Sequence, residues 1–112
     1  MAIRGVGIDS VDISRISSFL KKKDTSFLKK AFSEAERKYA FSRGNPASTL
    51  AGMLAAKEAA AKALGASQLS FFELEVRFAK DGVPQIWKGK KKLSVKVSLT
   101  HTVAVASAIA IR

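Results

Sequence analysis

The chain has 112 residues, 47% of them apolar and 26% charged, with no cysteine and a net charge of +11. This balance suits a folded domain and excludes a disulfide framework, thiolate metal ligation and a cysteine nucleophile. The longest mostly apolar run, residues 103–111, is far shorter than the ~20 residues a membrane-spanning helix needs. The N-terminus has no charged region followed by an apolar run, so no signal peptide is expected. The expectation is one soluble, cytoplasmic domain over residues 1–112. Its positive charge suits a polyanionic partner: nucleic acid, a membrane surface, a phosphorylated small molecule or an acidic protein.

Residues 3–9, IRGVGID, are largely apolar, hold two glycines and lack a helical period, which predicts a short strand ending at Asp9. From Val11 the pattern changes. Ile13, Ile16, Phe19 and Leu20 recur at helical spacing, with Arg15, Ser18 and Lys22 on another face, and the helix is expected to end in the basic run 21–23. Asp24 or Thr25 can cap a short turn beyond it. Ser33 and Glu36 fit a capping box opening a helix through Arg37, Tyr39 and Phe41. Residues 43–46, RGNP, break that pattern. Asn45 and Pro46 then suit the cap and first position of a third helix, which ends at Leu64 with Gly65 as a left-handed cap.

The second half alternates. Leu74, Val76 and Phe78 oppose Glu73, Glu75 and Arg77, as in a half-buried strand. Asp81-Gly82 signals a hairpin, with residues 83–87 as the returning strand and residues 88–92 as a basic loop. Val95, Val97 and Leu99 share one face of a strand reaching His101. Val103, Val105, Ile109 and Ile111 alternate with four alanines, so the last strand is expected to be buried on both faces. The order of an N-terminal strand, helices and then antiparallel strands predicts an α+β fold.

Glu58 stands out on the alanine-rich third helix. Lys62, four residues on, is a natural partner on a solvated face, where such a pair stabilises by ~0.2–0.5 kcal/mol. On an apolar face, desolvating the two ions costs more than that pair returns. A divalent cation would favour the carboxylate, and Asp9 at the end of the first strand is a candidate second ligand, with Asp12 nearby. The competing role for Asp9 and Asp12 is helix capping. Lys57 and Lys62 flank Glu58 and could contact phosphates. His101, the only histidine, lies on the apolar strand face, where a packed, hydrogen-bonded ring is the default. Ser98 is a poor nucleophilic partner for it, because strand residues three apart face opposite sides. GVGID lacks the third glycine of a dinucleotide fingerprint.

The segments GVGIDSVDISRI (5–16), FSEAE (32–36), AGMLAAKEAAAKALG (51–65), DGVP (81–84) and SLTHT (98–102) resemble, in order and spacing, those of the holo-acyl-carrier-protein synthase family. The resemblance implies a phosphopantetheinyl transferase with an α+β fold. Such an enzyme moves the phosphopantetheine arm of coenzyme A to a serine of an acyl carrier protein and releases adenosine bisphosphate. It implies Mg2+ held by Asp9 and Glu58, and Lys62 at the pyrophosphate. It further implies His101 near the nucleotide end of coenzyme A, Arg15 against the carrier protein, and homotrimers with sites between neighbouring subunits. Glu58 is the leading candidate for the base that takes the serine proton.

Three positions depart from the family pattern. Met53 stands where an arginine usually helps bind a phosphate of coenzyme A, Ala66-Ser67 replace a threonine-glycine, and Ser10 replaces a commonly apolar residue. A small basic nucleic-acid-binding domain is the rival reading, but no reader motif is present and no aromatics interleave with the 88–92 loop. Neither nucleic acid nor a membrane is therefore an expected partner. A non-catalytic, carrier-binding relative is a second rival, and retention of both acids argues against it.

Overall fold

The computed structural model describes residues 2–23, 25–65 and 70–112. Its centre is a helix with almost no polar surface. Asn45 caps the N-terminus of helix α4 (Pro46–Leu64) by accepting from the Ser48 N–H, Pro46 occupies the first turn, and Gly65 ends it at φ +98°. Between these stops alanine is the commonest residue, and every alanine of the helix is buried. A helix apolar all round must be enclosed by other elements.

One side of that enclosure is an antiparallel sheet of order β1-β6-β5, made by β1 (Val6–Asp12), β6 (Val105–Ile111) and β5 (Lys96–His101). The register pairs Asp9 with Ala108 and Ala108 with Leu99, while Val11, Ala106 and His101 form the next row. Strand β1 therefore begins and ends three residues later than the sequence pattern predicts, because its whole length pairs with β6. Asp9 lies at mid-strand, not at a strand end. The other side of α4 carries α1 (Ile13–Lys21), α2 (Thr25–Ala31) and α3 (Glu34–Phe41). A second antiparallel sheet joins β2 (Glu75–Phe78), β3 (Pro84–Lys88) and β4 (Lys91–Lys92).

The α+β expectation and the capping box at Ser33 and Glu36 hold. The predicted turn after α1 is instead the two-turn helix α2, whose first residue is Thr25; Asp24 lies outside the described residues. The basic segment 88–92 is a hairpin rather than a loop, turning at Gly89 with Lys88 opposite Lys91. The last strand is buried on one face only. Ala106, Ala108 and Ala110 lie against α4, whereas Ile109 and Ile111 are exposed and Val103 lies outside the strand, fully exposed. With Val6 (56% exposed) and Ile8 (65%), they leave the outer face of the sheet open and apolar.

Gly5 and Gly7 decide how closely β1 meets α4. A Cβ on Gly7 would overlap the carbonyl oxygen of Ala59, and one on Gly5 that of Ala63. Gly7→Val should therefore destabilise the fold by about 1–3 kcal/mol through overpacking, read as a lower urea midpoint at unchanged m-value.

Candidate active site

The Gly5–Gly7 approach places the following inward residue of β1, Asp9, over the middle of α4. Glu58 and Lys62, one turn apart, are the polar interruption on that side of the helix. Lys62 does not pair with Glu58, as the four-residue spacing predicts. Its ammonium donates to the Ile8 carbonyl at 2.9 Å and the Asp9 carboxylate at 3.3 Å, across 53 residues of sequence. Asp9 is nearer than the helical neighbour because β1 lies directly on α4.

The two acids meet. Burial and the neighbouring Asp9 carboxyl push the Glu58 carboxyl up to about 7, against the opposing charges of Arg15 and Lys62. Asp9 Oδ1 accepts from Lys62, but Asp9 Oδ2 is buried without a donor. An orphaned carboxylate oxygen beside a second, like-charged carboxyl is a donor set suited to a hard divalent cation, which one or two carboxylates plus substrate phosphates commonly hold. Among the described residues no group of three or more His, Cys, Asp or Glu side chains is gathered, so a cation here would need further ligands from outside this pair.

Other expectations meet the structure differently. Lys57 is not available to phosphates. It is 1% exposed, donates to the Glu36 carboxylate at 2.9 Å and to the Ala31 carbonyl, and faces away from the acid pair. Asp12 occupies the cap position of α1 without a side-chain capping bond. Asp9, being mid-strand, caps nothing. Arg15 is exposed on α1, with its guanidinium 5.9 Å from the Phe27 ring centroid and its charge felt at Glu58.

His101 is exposed rather than packed. Its Nδ1–H donates to the Thr102 carbonyl at 3.2 Å, which leaves Nε2 for a ligand. Strand β5 runs unbroken through Ser98 and His101, so these two face opposite sides. His101 does not join the acid pair within one chain: it sits on edge strand β5, whereas Asp9 sits on the opposite edge, β1. It lines a cavity of 170 Å³ with Tyr39, Arg43, Ser48, Gly52 and Phe78. Tyr39 stacks on Phe78 at 4.7 Å, and the Arg43 guanidinium lies 5.2 Å over the Tyr39 ring.

Arg43 is not legible in the sequence as a cavity residue, because there it belongs to a helix break. Glu36 was legible only as a cap. A lysine flanked by buried alanines was the available signal that an acid elsewhere must meet it. Met53 is buried in the core; Ser10 lies on the open sheet face, its hydroxyl 2.9 Å from that of Ser107. Ala66 and Ser67 lie outside the described residues.

The Glu58 shift has a consequence for stability. Its folded-state value is raised from 4.5 to about 7, so the contribution is fully present below 4.5 and lost as pH rises through about 7. In cation-free protein, Glu58→Gln should therefore flatten the fall in Tm between those two values. A pH profile identical to that of wild type would show that Glu58 does not carry the effect.

Residues 5–110 match the family model of the 4'-phosphopantetheinyl transferase superfamily. A holo-[acyl-carrier-protein] synthase of Chlamydia trachomatis serovar L2 is 40% identical over 96% of this chain and 97% of its own. A crystal structure of the Bacillus anthracis holo-(acyl-carrier-protein) synthase in complex with CoA (3',5'-ADP) superposes at a TM-score of 0.79 with 32% identity, covering 97% of this chain and 95% of that one. The Helicobacter pylori synthase in complex with coenzyme A gives 0.80 with 29% identity, over 96% and 99%. Matched along almost its whole length by model, sequence and fold, the chain belongs to the 4'-phosphopantetheinyl transferase superfamily.

Proposed function

We propose that the chain, as a single domain over residues 1–112, is a cytoplasmic holo-acyl-carrier-protein synthase that transfers phosphopantetheine from coenzyme A to a serine of an apo carrier protein. The observation that carries this reading is the convergence of Asp9, Glu58 and Lys62, with one Asp9 oxygen buried and unpartnered. Relatives bearing the synthase name, two of them in complex with coenzyme A or its 3',5'-ADP part, support it. No helix among the described residues is long and apolar enough to cross a membrane.

In this reading the serine oxygen forms a bond to the phosphorus nearest pantetheine. The pyrophosphate P–O bond breaks, and 3',5'-ADP leaves with the electron pair. Asp9 and Glu58 would hold Mg2+, which when bound would neutralise charge on the pyrophosphate. Lys62, half exposed and anchored on the Ile8 carbonyl, holds a cation where negative charge builds on the leaving phosphate. Glu58 is the carboxylate at hand to take the serine proton. Arg43 and His101, at the mouth of the aromatic cavity, are suited to the nucleotide end of coenzyme A, and Arg43 there supplies positive charge that Met53 does not. Arg15, exposed beside the acid pair, receives an acidic carrier protein, a contact that added salt weakens.

The site needs a second chain. Acid pair and histidine lie on opposite edges of one sheet, and the sheet's outer face exposes Val6, Ile8, Ile109 and Ile111. Burying one such side chain is worth about 1.5–3 kcal/mol, so the open face favours self-association. A homotrimer that sets the β5 edge of one copy beside the β1 edge of the next would complete each site.

Mixing the protein with apo carrier, coenzyme A and Mg2+ should raise the carrier mass by one phosphopantetheine. Chelation, Asp9→Ala and Glu58→Ala should each abolish the gain; full activity in Glu58→Ala removes the metal assignment. Arg15→Glu should raise KM for the carrier with kcat little changed, and an unaltered KM takes Arg15 off the docking surface. Ile8→Lys combined with Ile109→Lys should sediment as a monomer and lose transfer activity. An active monomer would overturn the shared site.

A further inference from the structure

Helix α4 meets the β1-β6-β5 sheet through the smallest side chains available. Gly5 and Gly7 touch the backbone at Ala63 and Ala59, and Ala106, Ala108 and Ala110 are the buried residues of β6. Methyl groups have no rotamers and raise only shallow ridges. Such an interface resists separation more than it resists rotation of the helix about its axis or a slide along it. The acid pair is sensitive to both, because one residue along a helix is roughly 100° of rotation and about 1.5 Å of rise. Something must set the register of α4.

The candidate is on another side of the helix. Lys57, the residue before Glu58, is buried and points toward α2 and α3. Its ammonium donates to the carbonyl of Ala31, the last residue of α2, and to Glu36 Oε1 at 2.9 Å, and it lies 5.0 Å from the Phe32 ring centroid. Glu36 Oε1 also accepts from the Ser33 N–H at 2.9 Å, and Glu36 Oε2 from the Val76 N–H at 2.8 Å. One buried ion pair therefore ties α4 to the end of α2, the start of α3 and the middle of β2. A buried ion pair adds little net stability relative to apolar residues of the same volume, and its best-attested use is fixing register.

We propose that the Lys57–Glu36 pair is a positioning element that fixes the rotation and height of α4 and so holds Glu58 against Asp9. Neither residue touches the reacting groups. The proposal rests on the reading of Asp9 and Glu58 as the cation-holding pair.

The test is the double variant Glu36→Gln/Lys57→Met, which removes both charges at similar volume and keeps an acceptor for the Val76 N–H. Urea unfolding, calorimetric titration with Mn2+ alone and transfer kinetics are measured on it. The expected result is a urea midpoint near that of wild type, with Mn2+ affinity and kcat each lowered about tenfold or more, in the range known for residues that orient metal ligands. KM for the carrier, set on α1, stays unchanged. A folded double variant with wild-type Mn2+ affinity and kcat overturns the proposal and leaves the pair a merely structural one. Should the double variant fail to fold, Lys57→Arg is read in its place. It keeps the buried charge, but its rigid fork meets Ala31 and Glu36 from a different helix height, so the same losses are expected and wild-type values again overturn the proposal. A wild-type protein that neither binds Mn2+ nor transfers phosphopantetheine sinks the reading of the acid pair and this proposal with it. An active wild type with an equally active variant sinks the proposal alone.

Discussion

The close approach of strand β1 to helix α4 is the constraint on which the rest of the molecule depends. Two glycines remove the side chains that would hold the backbones apart, and alanines on the helix accept the strand at contact distance. The next inward position after them is Asp9. The close approach shortens the gap Asp9 spans to Glu58, and Lys62 meets the Ile8 carbonyl at 2.9 Å. Close packing and site geometry thus have one cause.

That geometry concentrates charge at a partly exposed site. Two carboxyls share the space, one oxygen has no donor, and a single lysine answers one of them. A protein built only for stability would not keep such a group, because an unpartnered buried carboxylate oxygen is costly. In the proposed reading a cation and a pyrophosphate would supply the missing partners. The net charge of +11 acts at longer range and favours polyanionic partners.

Much of the fold was readable from pattern. The Ser33–Glu36 capping box, the Asn45-Pro46 start and Gly65 stop of α4, and the Asp81-Gly82 hairpin all follow from local backbone chemistry, and each falls where its residues predict. The pair Asp9 and Glu58 was also readable, from the oddity of an acid on an alanine helix and from family resemblance. Two readings fail for a shared reason: Lys57 as a phosphate contact, and the last strand as buried on both faces. Each of these depends on which element lies opposite, and spacing along the chain is silent about that. The two-turn helix α2 was missed because its seven residues hold few apolar ones to mark a period.

The sequence by itself determined the periodicities, caps and turns, the charge balance and the family, because these depend on residue type and on neighbours within a few positions. Tertiary structure alone decided that Lys62 answers Asp9, that Lys57 is buried on Glu36, and that Arg43 and His101 share a cavity on the edge away from the acids. The physical reason is that electrostatic pairing and desolvation depend on distance in space. Here the decisive distances span 21 to 53 residues of chain, and only the packing of α4 against its neighbours brings them to contact.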